Sequence, residues 1–272
     1  MVIQPRNRKL KVMDNQQAKL TQLIQFIDDF DTFGNLKRDM SLFSIAVGTL
    51  RKDKSLAADI IKVASEDSDG LGAMALTRIL IEDYLHLMFL NQNHEDLAQN
   101  IENFNAHPHM QHYASLQAMK EWGFPLEGQE AKELIDRVNA GFQAHKDKFL
   151  RHNNPKEPFD PDDYYRTWTK TSLYKLVKKS GVTDSEADKK SLKFLTETYD
   201  TASSIIHHDS FIIWFLASQD KSFLSEQYPG LALTIAVITL SRIANVVLQI
   251  SQPLIDDDTR YLQHLNKLAD IM

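Results

Sequence analysis

The chain has 272 residues, 43% of them hydrophobic and 25% charged, which is ample apolar material for a large buried core. The formal net charge is -6 and the pI about 5.9, a balance against general nucleic-acid binding, which needs a basic face to neutralise phosphates. There is no cysteine, so disulfides, thiolate zinc sites, iron–sulfur clusters and cysteine nucleophiles are excluded.

Residues 1–13 form a polar, partly basic segment with no apolar stretch behind it, so no secretory signal is read there and a cytoplasmic location is expected. Apolar residues then recur at helical spacing along nearly the whole chain, and no run alternates long enough to read as a sheet. The first predicted helix covers residues 15–30, with Leu20, Leu23, Ile24 and Ile27 as its stripe and Asp14 as N-cap. The second covers residues 36–64, with a break near the charged run Arg51–Lys54. A polar connector at 66–70 leads to a third helix over 72–91. The fourth covers 95–122 with Pro108 as a kink or break, and after a turn at 123–128 a fifth covers 129–151.

The sequence HNNPKEPFDPDD at 152–163 holds three prolines and four acids, a loop signature and a candidate lobe boundary. A short helix is predicted over 168–179. Thr183 and Glu186 have capping-box spacing for the next, which reaches residue 217. A loop at 218–229 precedes helices over 231–251 and 257–271. The apolar stretch 210–217 is too short to cross a bilayer, and 231–250 is interrupted by Ser241, Arg242, Asn245 and Gln249, which suits a buried helix and not a membrane span. The predicted fold is all-α: a single bundle of roughly 8–10 helices forming one domain over residues 1–272. The 231–251 helix has apolar surface for the core or for a second copy of the chain, so a homo-oligomer stays open.

Two predicted core helices carry polar residues out of place. In LTRILIEDYLHLMFL, Arg78 and Glu82 share one face, with Asp83 a quarter-turn round and His86 one turn on. A buried arginine or glutamate must be paired, either with each other or across to another helix. In YDTASSIIHHDS, Tyr199, Ser203 and His207 form one stripe and Asp200, Ser204 and His208 the next. Arginine, glutamate and histidine together supply an anion clamp and proton-transfer groups, so Arg78, Glu82 and His207 are the catalytic candidates, with Tyr199, Ser203, His208 and Asp200 supporting. A single histidine on an apolar face more often fills a core position than a catalytic one.

Glu82 and His86 have two-ligand metal spacing, which Asp200 with His207 or His208 would complete, but the Glu-x-x-His of di-iron bundles is absent. His107, His109 and His112 crowd around Pro108 and read as a surface kink that takes metal only adventitiously. No P-loop, G-x-G-x-x-G or G-x-S-x-G exists, so no cofactor is assigned and serine-hydrolase chemistry is not expected.

The ordered pattern Arg78-x3-Glu82, then Trp168, then Tyr199-x3-Ser203-x3-His207 resembles a domain-of-unknown-function family of bacterial all-helical proteins, over residues 70–217. The resemblance implies an all-α bundle in which Arg, Glu and His converge, and implies no reaction. The chain is more remotely similar to HEPN-type helical domains, many of them nucleases in toxin and phage-defence systems. Their R-x(4–6)-H motif is missing: Arg78 to His86 is R-x7-H and Arg260 to His264 is R-x3-H. Three readings follow: a hydrolase or nuclease-like effector in defence or stress response; a non-enzymatic helical interaction module whose polar centre is structural; and a His/carboxylate metal-binding bundle.

Overall fold

The structure is a computed structural model that describes residues 5–31, 41–64, 70–92, 95–151, 159–172, 175–176, 186–206, 222–252 and 258–272. The protein is all-α, with eight α-helices and no strand among the described residues. We number them α1 (Pro5–Asp31), α2 (Leu42–Val63), α3 (Leu71–Gln92), α4 (Leu97–Glu121), α5 (Gln129–His145), α6 (Glu186–Ile206), α7 (Ser222–Ser251) and α8 (Asp258–Ile271). They fall into two compact units, Met1–Gln92 with Val177–Met272, and Asn93–Leu176. Neither unit boundary lies at 152–163.

In the first unit, α7 packs on α1, α2, α3 and α8, and α3 also packs on α2 and α6. Both helices are apolar nearly all round, the composition of a helix with neighbours on most sides. Leu80, Ile81 and Leu85 of α3 and Leu233, Ile235, Leu240, Ile243 and Val247 of α7 are fully buried. The span Gln227–Ser251 is long and apolar enough to cross a membrane by composition alone, yet 72% of its best window is buried inside the protein. It serves as the core helix of this unit.

Three boundaries differ from the sequence reading. First, α1 begins at Pro5, so Asp14 is an exposed mid-helix residue and not a cap. Pro suits a first helical turn, and Met13 extends the buried stripe seven residues ahead of Leu20. Second, α2 starts after Ser41, whose Oγ accepts from the Ser44 N–H at 3.3 Å, and it runs through Arg51–Lys54 unbroken. The buried stripe Leu50, Asp53, Ala57, Ile60 carries straight across the charged run. Third, α7 starts at Ser222 and contains Pro229. An interior proline costs about 3 kcal/mol in an isolated helix; here Tyr228 and Pro229 are buried, and their packing against Gly70 offsets it.

The second unit holds α4 and α5 around an aromatic core. Tyr113 stacks on Phe142 at 3.7 Å, Phe159 meets Phe142 edge-on at 5.5 Å, and Tyr164 stacks on Phe159 at 5.4 Å. Pro108 sits inside α4 without ending it. α5 stops at His145 and passes into a 3-10 turn, Lys146–Phe149. Trp168 is buried edge-on to Phe104 at 5.4 Å, but it lies in a turn and not at the start of a helix; Lys175 and Leu176 are the described helical residues after it. A buried aromatic anchors irregular chain as well as helix, which explains the misreading. The predicted Thr183 capping box and the loop at 152–158 lie outside the described residues.

Candidate functional site

The seam between α3 and α6 brings Arg78 and Tyr199 together. Arg78 Nη2 donates to the Tyr199 hydroxyl at 3.2 Å, and the guanidinium carbon lies 5.2 Å from the ring centre. The aromatic face takes up part of the positive charge in a half-buried setting. Arg78 Nε is buried and has no hydrogen-bond partner among the described residues, and neither does the buried Ser203 Oγ one turn beyond Tyr199. Asp200, on the neighbouring stripe, is exposed, and Ser204 donates to the Asp200 carbonyl at 3.0 Å. His207 and His208 lie outside the described residues.

The direction of α6 decides what else can meet Arg78. Leu192 and Met88 line one cavity while Tyr199 meets Arg78, so the residue numbers on the two helices run in opposite senses. The helices are therefore antiparallel. Glu82 and Ser203 lie on opposite sides of Arg78 along the seam, each roughly 6 Å away at 1.5 Å per residue. Arg78 can serve either group but the two do not touch.

No ion pair forms between Arg78 and Glu82. The arginine turns to Tyr199 and leaves the glutamate half-buried without an ion pair or side-chain hydrogen bond among the described residues. Burial raises the Glu82 pKa above the ordinary carboxylate value, and the Asp83 charge raises it further; Arg78 and Lys52 oppose the shift. Such a group takes up a proton more readily than an exposed glutamate does.

The sequence reading did not select Asp53. It is fully buried at 0% exposure, on the core stripe of α2, facing Asp83 of α3. Its pKa is pushed up to about 9, first by burial and then by the neighbouring Asp83 carboxylate, with Lys52 opposing; neither Asp53 oxygen has a hydrogen-bond partner among the described residues. Asp53 therefore holds its proton at neutral pH beside Asp83, while Asp83 pairs with Lys52 Nζ at the surface side. A second arginine–tyrosine pair was also missed: Arg242 of α7 donates from Nη1 to the Tyr84 hydroxyl at 3.1 Å, with its guanidinium carbon 5.9 Å from the ring centre.

The histidines around Pro108 do not converge. Because α4 continues through the proline, position 107 points away from 109 and 112, which lie three apart on the other side of the helix. His107 is buried edge-on to Phe149 at 5.4 Å, and burial lowers its pKa. His109 stacks on His145 at 4.8 Å, and His112 is exposed. His86 is half-buried on α3. Among the described residues no three His, Asp or Glu side chains form a metal-holding group.

Residues 45–223 match the model of a family of unknown function, DUF5677. No curated protein and no solved structure matches this chain.

Proposed function

We propose, on the premise that this chain belongs to the family of unknown function DUF5677, that it is a hydrolase acting on an anionic substrate at the α3–α6 seam. One observation carries the reading: Glu82, half-buried with its proton affinity raised, stands one turn from Arg78, and among the described residues neither the Glu82 carboxylate nor the Arg78 Nε has a partner. Arg78 would hold the anionic group of the substrate through its planar fork of donors. Glu82, ionised, would take a proton from the attacking water as its oxygen bonds to the ester's central atom; the bond to the leaving oxygen breaks, and Glu82 returns the proton to that oxygen. A positioned carboxylate in that role contributes about 100- to 10,000-fold. Because the base must be ionised, the rate should climb as pH rises through the raised Glu82 pKa.

The test uses the full chain with three anionic substrates: p-nitrophenyl phosphate, bis(p-nitrophenyl) phosphate and single-stranded RNA. At least one substrate should turn over. Glu82→Gln should lower that rate about 100-fold or more, with the melting temperature held within about 2 °C. No turnover of any substrate, or full activity in Glu82→Gln, sinks the proposal.

A second reading has its own support: Arg78 is already engaged by Tyr199, and Asp53 is sealed from solvent. In that case the polar centre fixes how α2, α3 and α6 align, within a non-enzymatic interaction module. Arg78→Ala would then lower the melting temperature while leaving every measured activity unchanged.

A further inference from the structure

A cavity of about 350 Å³ opens between α3, α6 and α7, within the first unit. That volume falls in the range of small-molecule sites. It lies further along α3 than Arg78: Tyr84 and Met88, which line it, are six and ten residues on, roughly 9 and 15 Å along the helix. Its walls combine three kinds of surface. Met88, Leu192 and Val246 make an apolar face. Arg242 supplies a positive charge, fixed against the Tyr84 ring and hydroxyl, and no lining side chain is acidic; Met272, whose terminal oxygen accepts from Lys19 Nζ at 2.6 Å, completes the wall. Asn91 and Gln92 on α3, with Asn245 and Gln249 on α7, add four carboxamides, none with a side-chain hydrogen bond among the described residues.

The sequence places these groups deliberately close. On α7, Arg242, Asn245 and Gln249 are spaced by three and four, so they share one stripe of a helix that is otherwise apolar. Tyr84, Met88 and Asn91 are spaced by four and three on α3 and present a matching stripe. A packing-only seam would fill those positions with leucine or valine, since each polar group there forgoes apolar contact. Ser241 is already satisfied by the carbonyls of Val237 and Ile238, so it takes no part.

We propose that this cavity binds a nucleoside monophosphate, with the phosphate on Arg242 and the edge of the base on the carboxamides. The guanidinium matches a phosphate with two parallel hydrogen bonds. A carboxamide offers one donor and one acceptor in a plane, the complement of a nucleobase edge. The apolar face covers the flat side of the base. A bare phosphate would use only the arginine and leave the carboxamides and the apolar wall idle.

The test is thermal melting of the full chain with AMP, GMP, CMP, UMP and inorganic phosphate. At least one nucleotide should raise the melting temperature by about 5 °C when present about 100-fold above its Kd, and phosphate alone should not. Asn245→Leu and Arg242→Met should each weaken that nucleotide about ten-fold or more. Asn245 is half-exposed, so its variant keeps the test valid if Arg242→Met fails to fold. The proposal is overturned if no nucleotide produces a saturable shift, if phosphate alone matches the nucleotides, or if Asn245→Leu binds as tightly as the parent chain. None of these outcomes depends on Glu82, so this test and the hydrolase test fail independently.

Discussion

Gly70→Ala will lower the stability of the first unit by about 2–4 kcal/mol, seen as a drop of roughly 5–15 °C in melting temperature. Two penalties combine. Gly70 has φ +72°, a left-handed conformation that a Cβ disfavours by about 1 kcal/mol. The added Cβ would also stand 2.5 Å from Pro229 N, 2.6 Å from Pro229 Cδ and 2.8 Å from the Tyr228 carbonyl carbon. Those atoms are helix backbone and a proline ring, which cannot rotate away, so α7 must shift off the start of α3. Overpacking of that kind costs about 1–3 kcal/mol. Gly48→Ala supplies the contrast. Gly48 is exposed inside α2, and a Cβ there meets nothing within 4 Å. It should gain about 0.5–1 kcal/mol from helix propensity. Should Gly70→Ala melt with the parent chain, the close approach of Pro229 to Gly70 is wrong.

Asp53→Asn should stabilise the protein at neutral pH and do nothing at pH 4. Below about pH 4 both the folded and unfolded chains hold the Asp53 proton, so no free energy is at stake. Above that, the unfolded chain releases the proton near the ordinary value of 3.8, while the folded chain keeps it up to about 9. Stability therefore falls as pH rises across that window, by about 1.4 kcal/mol per pH unit, giving a ceiling of roughly 4 kcal/mol at pH 7. An asparagine has the same shape and carries no proton to lose. The variant should gain on the order of 2–4 kcal/mol at pH 7, about 5–10 °C. The check is a set of melting curves from pH 4 to 9: the parent should decline across the range and the variant should stay flatter. Equal slopes, or a variant that is less stable at pH 7, would show that Asp53 is ionised in the fold.

Much of the bundle was readable beforehand, because burial of an apolar stripe at 3.6-residue spacing leaves a mark on the chain itself. α3 was marked by being apolar nearly all round; α7 was readable as a buried helix, though its apolar surface left a second copy of the chain open as its cover. The errors came where tertiary packing overrides a local rule. The charged run at Arg51–Lys54 looked like a break, since three of its four residues are solvated and only the stripe position Asp53 turns inward. The signal was present: Leu50, Asp53, Ala57 and Ile60 are spaced by three, four and three. Pro229 looked like the end of a loop because it lacks an N–H, and Trp168 looked like a helix start because it is large and apolar.

The site was legible as residues and not as geometry. Arg78, Glu82, Tyr199 and Ser203 stood out because polar side chains are expensive in an apolar helix. Their partners did not. Spacing along α3 made Arg78 and Glu82 neighbours, yet the arginine turned across to Tyr199 of α6. The relevant contacts join residues more than a hundred positions apart, and one chain's periodicity carries no record of which helix faces which.

The sequence by itself determined the class of fold, the buried character of α3, and the absence of cysteine chemistry. Those follow from composition and local spacing, which each residue carries wherever it goes. Only the tertiary structure decided that α3 and α6 run antiparallel, that Asp53 meets Asp83, and that Arg242 stands at a cavity with four carboxamides. Charge–charge distance and desolvation set those properties, and both exist only once helices distant in the chain are packed together.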